Sequence, residues 1–146
     1  MAVAPPFGGG TFIADKSIWA RSDREPIRDE WAQALANGQI LTCSITVLEL
    51  LFSARTSAEF EALEEELSAL RVIQVTDSIC RAAIAAMREL AAHSDGYHRI
   101  PPPDYLIGAC AQDAGIGVLH YDHDFDRLSE VMEFESRWAA EPPALD

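Results

Sequence analysis

The chain has 146 residues, 24 acids against 11 bases, and a formal net charge of −13 at 49% hydrophobic content. That length builds one soluble globular domain with a core of its own, and no apolar run approaches the length of a membrane helix. The charge argues against function by bulk attraction to nucleic acid; it favours cations, a basic partner, or a nucleic-acid site whose local field a metal reverses.

Residues 1–10 lack a basic start and a sustained apolar stretch, so they read as a flexible leader and not as a signal peptide. Residues 11–15 (Thr-Phe-Ile-Ala-Asp) form a β-prone run ending in an acid, and Ser17 is placed to cap the helix that follows. Ile18, Trp19, Ile27, Trp31 and Leu35 give one or two helical pieces, broken near Pro26 and stopped by Asn37-Gly38. A second strand is expected over 40–43 and a helix over 47–54. A strongly acidic amphipathic helix is expected over 57–70, with Phe60, Leu63, Leu67 and Leu70 as its apolar face. A third strand over 72–75 precedes a helix over 78–92 capped by Thr76 or Asp77. The triple proline 101–103 stops any helix crossing it, and a new helix runs from Asp104 to about Gln112. A fourth strand over 117–121, a short helix over 124–129 and a fifth strand over 132–135 complete the domain, with 136–146 a tail of little structure. Strands alternating with helices predict a three-layer α/β/α sandwich around a mostly parallel sheet, a single domain over 11–135. Cys43, Cys80 and Cys110 are odd in number and lie in apolar surroundings, which fits buried thiols in the cytoplasm.

The candidate chemistry lies in carboxylates placed where strands end and helices begin. Asp15 ends a strand, at the mouth where open parallel sheets build their sites, though it also suits a turn or cap. Glu49 follows Thr46 at the spacing of a capping box, yet Val47, Leu48, Leu50 and Leu51 surround it, and a carboxylate buried there needs a cation or several donors. Asp104 can cap its helix. Gly108, one turn on, is expected to leave room beside it for a metal and its waters. Asp122, Asp124 and Asp126 imitate a calcium loop, but its sixth position is Arg127 instead of glycine and a strand precedes it. Asp122 and Asp124 therefore read as strand-end acids delivered to the mouth with Asp15. His120 reads as structural, and no set of histidines or cysteines has zinc spacing. Gathered carboxylates repel one another, divalent cations reverse that penalty, and all-oxygen ligands select Mg²⁺ or Mn²⁺.

Four segments together resemble the PIN-domain ribonucleases, in particular the VapC-type toxins of bacterial toxin–antitoxin pairs. They are Ile13-Ala-Asp15-Lys-Ser17, Ile45-Thr46-Val-Leu-Glu49-Leu, Pro103-Asp104-Tyr-Leu-Ile-Gly-Ala-Cys-Ala and Leu119-His-Tyr-Asp122-His-Asp124-Phe-Asp126. The resemblance implies Asp15, Glu49, Asp104 and Asp122 as the catalytic acids on Mg²⁺ or Mn²⁺, with Asp124 a further ligand or support and Ser17 orienting Asp15. It implies endonucleolytic RNA cleavage, a homodimer, and silencing by a cognate antitoxin through a basic segment. Lys16 stands where the family commonly has threonine, and Lys16, Arg21, Arg24 and Arg99 are the local bases available to RNA. Two other readings stay open: a catalytically silent PIN-like binding module whose acids cap helices, and a haloacid-dehalogenase-type phosphatase. The second would use Asp15 as nucleophile but has Ser17 where its motif needs a second acid.

Overall fold

Five short strands pair into one sheet in the computed structural model, which describes residues 4–146. They are β1 (Phe12–Ala14), β2 (Ile40–Cys43), β3 (Val72–Ile73), β4 (Gly117–His120) and β5 (Ser136–Trp138), in the order β3-β2-β1-β4-β5. Every pairing is parallel. The central strands are buried on both faces, which is why they read as continuous apolar runs and not as alternation. The expected α/β/α sandwich is what forms, and the chain reverses its direction of winding between β1 and β4. At that reversal the carboxyl ends of two neighbouring strands open a crevice.

Seven helices cover the sheet: α1 (Lys16–Trp19), α2 (Arg28–Ala36), α3 (Ser44–Phe52), α4 (Ser57–Ser68), α5 (Asp77–His93), α6 (Pro102–Ala114) and α7 (Asp124–Leu128). One apolar layer joins the inward faces of α5, α6 and α7 to Ile13, Cys43 and Val118. The other joins Phe12, Ala14, Ile40 and Leu119 to Ile18, Ile27, Trp31 and Ala34. Thr56 and Thr76 accept from backbone N–H groups three residues on, capping α4 and α5. Gly115 ends α6 in the left-handed region at φ 68°, which a glycine occupies without strain.

The chain departs from the sequence expectation at both ends. Residues 1–3 of the expected leader lie outside the described residues, but Pro6–Gly9 form a 3₁₀ turn and Phe7 is buried against α2. The Gln39 amide donates to the Pro6 and Gly10 carbonyls, fastening that turn to the start of β2. The fifth strand forms at Ser136–Trp138, not over 132–135, because Met132 and Phe134 are drawn instead onto the backbone of α6. They press on Gly108, where a Cβ would come within 3.1 Å of both side chains. Gly108 therefore serves close packing and does not open space beside Asp104. The stretch expected as a tail carries a strand and an anchor: Leu145 is 1% exposed, and its N–H donates to the Tyr121 hydroxyl. All three cysteines are free, two of them buried.

If the 139–146 segment is part of the core, Leu145→Ala loses a buried side chain and leaves a cavity. It should lower the free energy of urea unfolding by about 2–3 kcal/mol; an unchanged midpoint would show that the segment does not contribute.

Candidate active site

Asp15 follows β1, is 2% exposed, and caps α1 by accepting the Ser17 N–H at 3.1 Å on Oδ2. Asp122 and Asp124 follow β4, and the Asp124 N–H donates to Asp122 Oδ1 at 2.9 Å, fixing that carboxylate in an Asx-type turn. Asp104 lies in the first turn of α6, 5% exposed, and no hydrogen bond from a described residue reaches its carboxylate. Asp104, Asp122 and Asp124 each offer an oxygen within 4.8 Å of the others. Glu49 arrives from α3, where its Oε2 lies 3.1 Å from Lys16 Nζ. The Thr46–Glu49 capping box does not form, because α3 begins at Ser44 and Glu49 turns to Lys16 instead of its own helix end.

Burial, above all, raises the Asp104 carboxyl to about 8, and the charges of Asp15, Asp122, Asp124 and Glu49 push the same way. Burial likewise raises Asp15, opposed by the hydrogen bonds from Ser17 and aided by Glu49 and Asp122. Asp124 is raised by burial and by Asp122. Lys16 is raised, chiefly by its hydrogen bond to Glu49. Asp104 thus feels the charge of the other four acids, which the fold brings to it from the end of β1, from α3 and from the turn after β4. Two of their oxygens, Asp15 Oδ1 and Glu49 Oε1, are buried with no hydrogen-bond partner.

Neighbours hold the acids in place. Ser17, expected as a helix cap, yields that role to Asp15 and instead accepts the Tyr121 N–H at 3.0 Å on its hydroxyl, tying the end of β1 to the end of β4. His120 is structural as expected: fully buried, it accepts the Asp122 N–H on Nδ1 and is hydrogen-bonded through Nε2 to Ser136. Burial lowers it to about 4, so it stays neutral. Asp126 turns away from the cluster and accepts from Ser136 Oγ and Trp138 Nε1, which disposes of the calcium loop. Arg21 and Arg24 both donate to the Leu145 carbonyl, and Arg21 also donates to the Ser17 carbonyl and lies over the Tyr121 ring. These two arginines brace the 139–146 segment against the loop that carries Asp15. No sequence signal marked this brace, because Leu145 is one apolar residue after a proline pair. Arg99 is exposed in the loop before α6.

Unpartnered buried carboxylate oxygens, an all-oxygen donor set and a carboxyl lifted to about 8 are what a hard divalent cation relieves, so these residues fit one. A model of the PIN domain matches residues 13–131, the span that holds all five acids. The chain belongs to the PIN-domain family. Ribonuclease VapC18 of Mycobacterium tuberculosis is 33% identical over 128 residues, covering 87% of this PIN domain's chain and 93% of its own. Ribonuclease VapC51 of the same organism is 34% identical over 135 residues, covering 92% and 97%. Identity at that level over nearly the whole chain places this PIN domain among the VapC ribonucleases. A crystal structure of VapBC-5, from a family of toxin–antitoxin systems in M. tuberculosis, superposes with a TM-score of 0.62 over 86% of this chain and 96% of that one. At 23% identity that likeness speaks for the fold.

Asp104 titrates near 8 in the folded PIN domain against about 4 in an unfolded chain. Its ionisation is therefore a cost to folding, absent below about pH 4 and complete above about pH 8. Without divalent cations, Asp104→Asn should be more stable than the parent at pH 8, by on the order of 2–5 kcal/mol, and the gain should vanish towards pH 4. Thermal melts in EDTA across that range measure it; equal melting temperatures at pH 8 would contradict the placement of Asp104.

Proposed function

We propose that this PIN domain is a Mg²⁺- or Mn²⁺-dependent endoribonuclease, the toxin of a toxin–antitoxin pair. Asp15, Glu49, Asp104 and Asp122 are its catalytic metal-binding acids, with Asp124 as a further ligand or support. One observation carries the proposal: two buried carboxylate oxygens without a donor, in a five-acid cluster whose central member is pushed to about 8. Acids that merely capped helices would have their oxygens satisfied. Asp15 does cap α1, but with one oxygen alone.

A bound divalent cation supplies activation of water and charge neutralisation at the scissile phosphodiester. The protein supplies the geometry. Ser17 N–H holds Asp15, Asp124 N–H holds Asp122, and the Ser17–Tyr121 bond keeps the two strand ends at a fixed spacing. Asp104 acts as a carboxylate only after giving up the proton it holds near neutral pH. Lys16 stands in as the cation partner of Glu49, and its exposed ammonium can turn to an RNA phosphate when Glu49 takes another partner. Arg99, exposed in the loop before α6, is the second base free to contact RNA. Arg21 and Arg24, their donors engaged with the chain, contribute mainly by bracing.

An antitoxin would silence this mouth with a basic side chain, to which a surface of net charge −13 is well suited. Leu48 and Phe52, one turn apart on α3, are 64% and 91% exposed, an apolar face that a second copy would cover in a homodimer. The three free thiols suit the cytoplasm, and no helix of the described residues is long and apolar enough to cross a membrane.

Purified protein should cut single-stranded RNA with Mg²⁺ or Mn²⁺ and stop when EDTA is added. Asp104→Asn should lower kcat by about 10²-fold or more, the scale of losing a preorganised charge-stabilising group. Cleavage that survives Asp104→Asn unchanged would mean a contaminant or a different site.

A further inference from the structure

Beside the acid mouth, beyond β4, lies a concavity of about 560 Å³ lined by His123, Asp126, Ser136, Arg137, Trp138 and Glu141. Trp138 ends β5 in register with His120 and is held by its indole N–H on Asp126 Oδ2 at 2.9 Å. Ser136 fixes the other oxygen of the same carboxylate. The indole is thus oriented before any ligand arrives. Its ring neighbours meet it at steep angles: His120 at 64°, His123 at 67° and Tyr121 at 81°, with centroids 4.8–5.6 Å away. Among the described residues no ring stacks parallel on it. His123 is exposed and stands in sequence between Asp122 and Asp124, so the same short turn carries two acids of the site and one wall of this pocket.

The pocket is unsuited to a phosphate. Its one guanidinium, Arg137, already donates to Glu135 at 2.7 and 3.1 Å, and Asp126 and Glu141 add negative charge. A neutral, flat, π-faced group fits it. Stacking of an unpaired base on an aromatic side chain is independent of bulk charge and contributes about 1–3 kcal/mol per base. For a chain with a net charge of −13, stacking adds affinity that bulk charge does not supply.

We propose that Trp138 and His123 form a subsite that stacks an unpaired nucleobase of the RNA next to the bond being cut. The proposal rests on the ribonuclease reading above. It makes unpaired RNA the preferred substrate, because a base inside a duplex is not free to enter. Trp138→Leu should raise the KM for a single-stranded RNA about 5- to 100-fold with kcat within about twofold. Trp138→Phe should keep most of the affinity, and His123→Ala should raise KM by a smaller factor. In the Asp104→Asn protein with Mn²⁺, a ten-nucleotide single-stranded RNA should quench indole fluorescence, a duplex of the same sequence should not, and the quench should disappear with Trp138→Phe. An unchanged KM in a Trp138→Leu protein that melts like the parent would overturn the subsite, as would a quench that survives Trp138→Phe. Should Trp138→Leu fail to fold, the fluorescence comparison decides. A parent protein that cuts no RNA would overturn the ribonuclease reading, and the quench would still judge the subsite.

Discussion

Mutual repulsion among five carboxylates at one end of the sheet is the constraint on which the rest of the structure depends. The five acids come from four places in the fold, Asp122 and Asp124 sharing one turn, and each would be comfortable alone in water. Burial, with the charges of the other acids added to it, lifts Asp104 to about 8, and the same packing leaves buried oxygens of Asp15 and Glu49 without donors. A fold that keeps such an arrangement gives up stability that its apolar core must supply, and a bound cation would return it. The two apolar layers on either face of the sheet hold the strand ends rigid enough for the acids to stay close.

Around that cluster the protein places neutral or self-paired groups. Ser17 bridges two strand ends, His120 is kept uncharged by burial, and Asp126 is satisfied by Ser136 and Trp138. Arg21 and Arg24, which could have quenched the acids, are instead turned to the Leu145 carbonyl. Among the described residues Lys16 alone enters the cluster, and it is bonded at one oxygen of Glu49. The mouth therefore keeps its negative field towards solvent, which suits both a metal and a basic inhibitor.

Much of this was legible in the residues. Strands β1, β2 and β4 announce themselves as short apolar runs, and the acids after β1 and β4 follow from where a parallel sheet opens. Asp104 was marked by three prolines and Glu49 by its apolar surroundings. What could not be read were relations set by distant packing. The hydroxyl of Ser17 looks like a helix cap until β4 brings the Tyr121 N–H to it. Gly108 looks like space beside an acid until Met132 and Phe134 fill it, and filling it moves the fifth strand from 132–135 to Ser136–Trp138. Leu145 and Phe7 are single apolar residues among prolines and glycines, with no periodicity to betray their burial. The arginines looked free because their acceptor is a backbone carbonyl more than 120 residues away.

If the five acids form one cation site with a protonated carboxyl at its heart, a cation that binds there must displace a proton. Calorimetric titration of the protein with Mn²⁺ at pH 7, repeated in buffers of different ionisation enthalpy, counts the protons released on binding. With Asp104 near 8, binding should be saturable and release about one proton, and that release should be lost in Asp104→Asn. No binding, or binding without proton release in the parent, would contradict it.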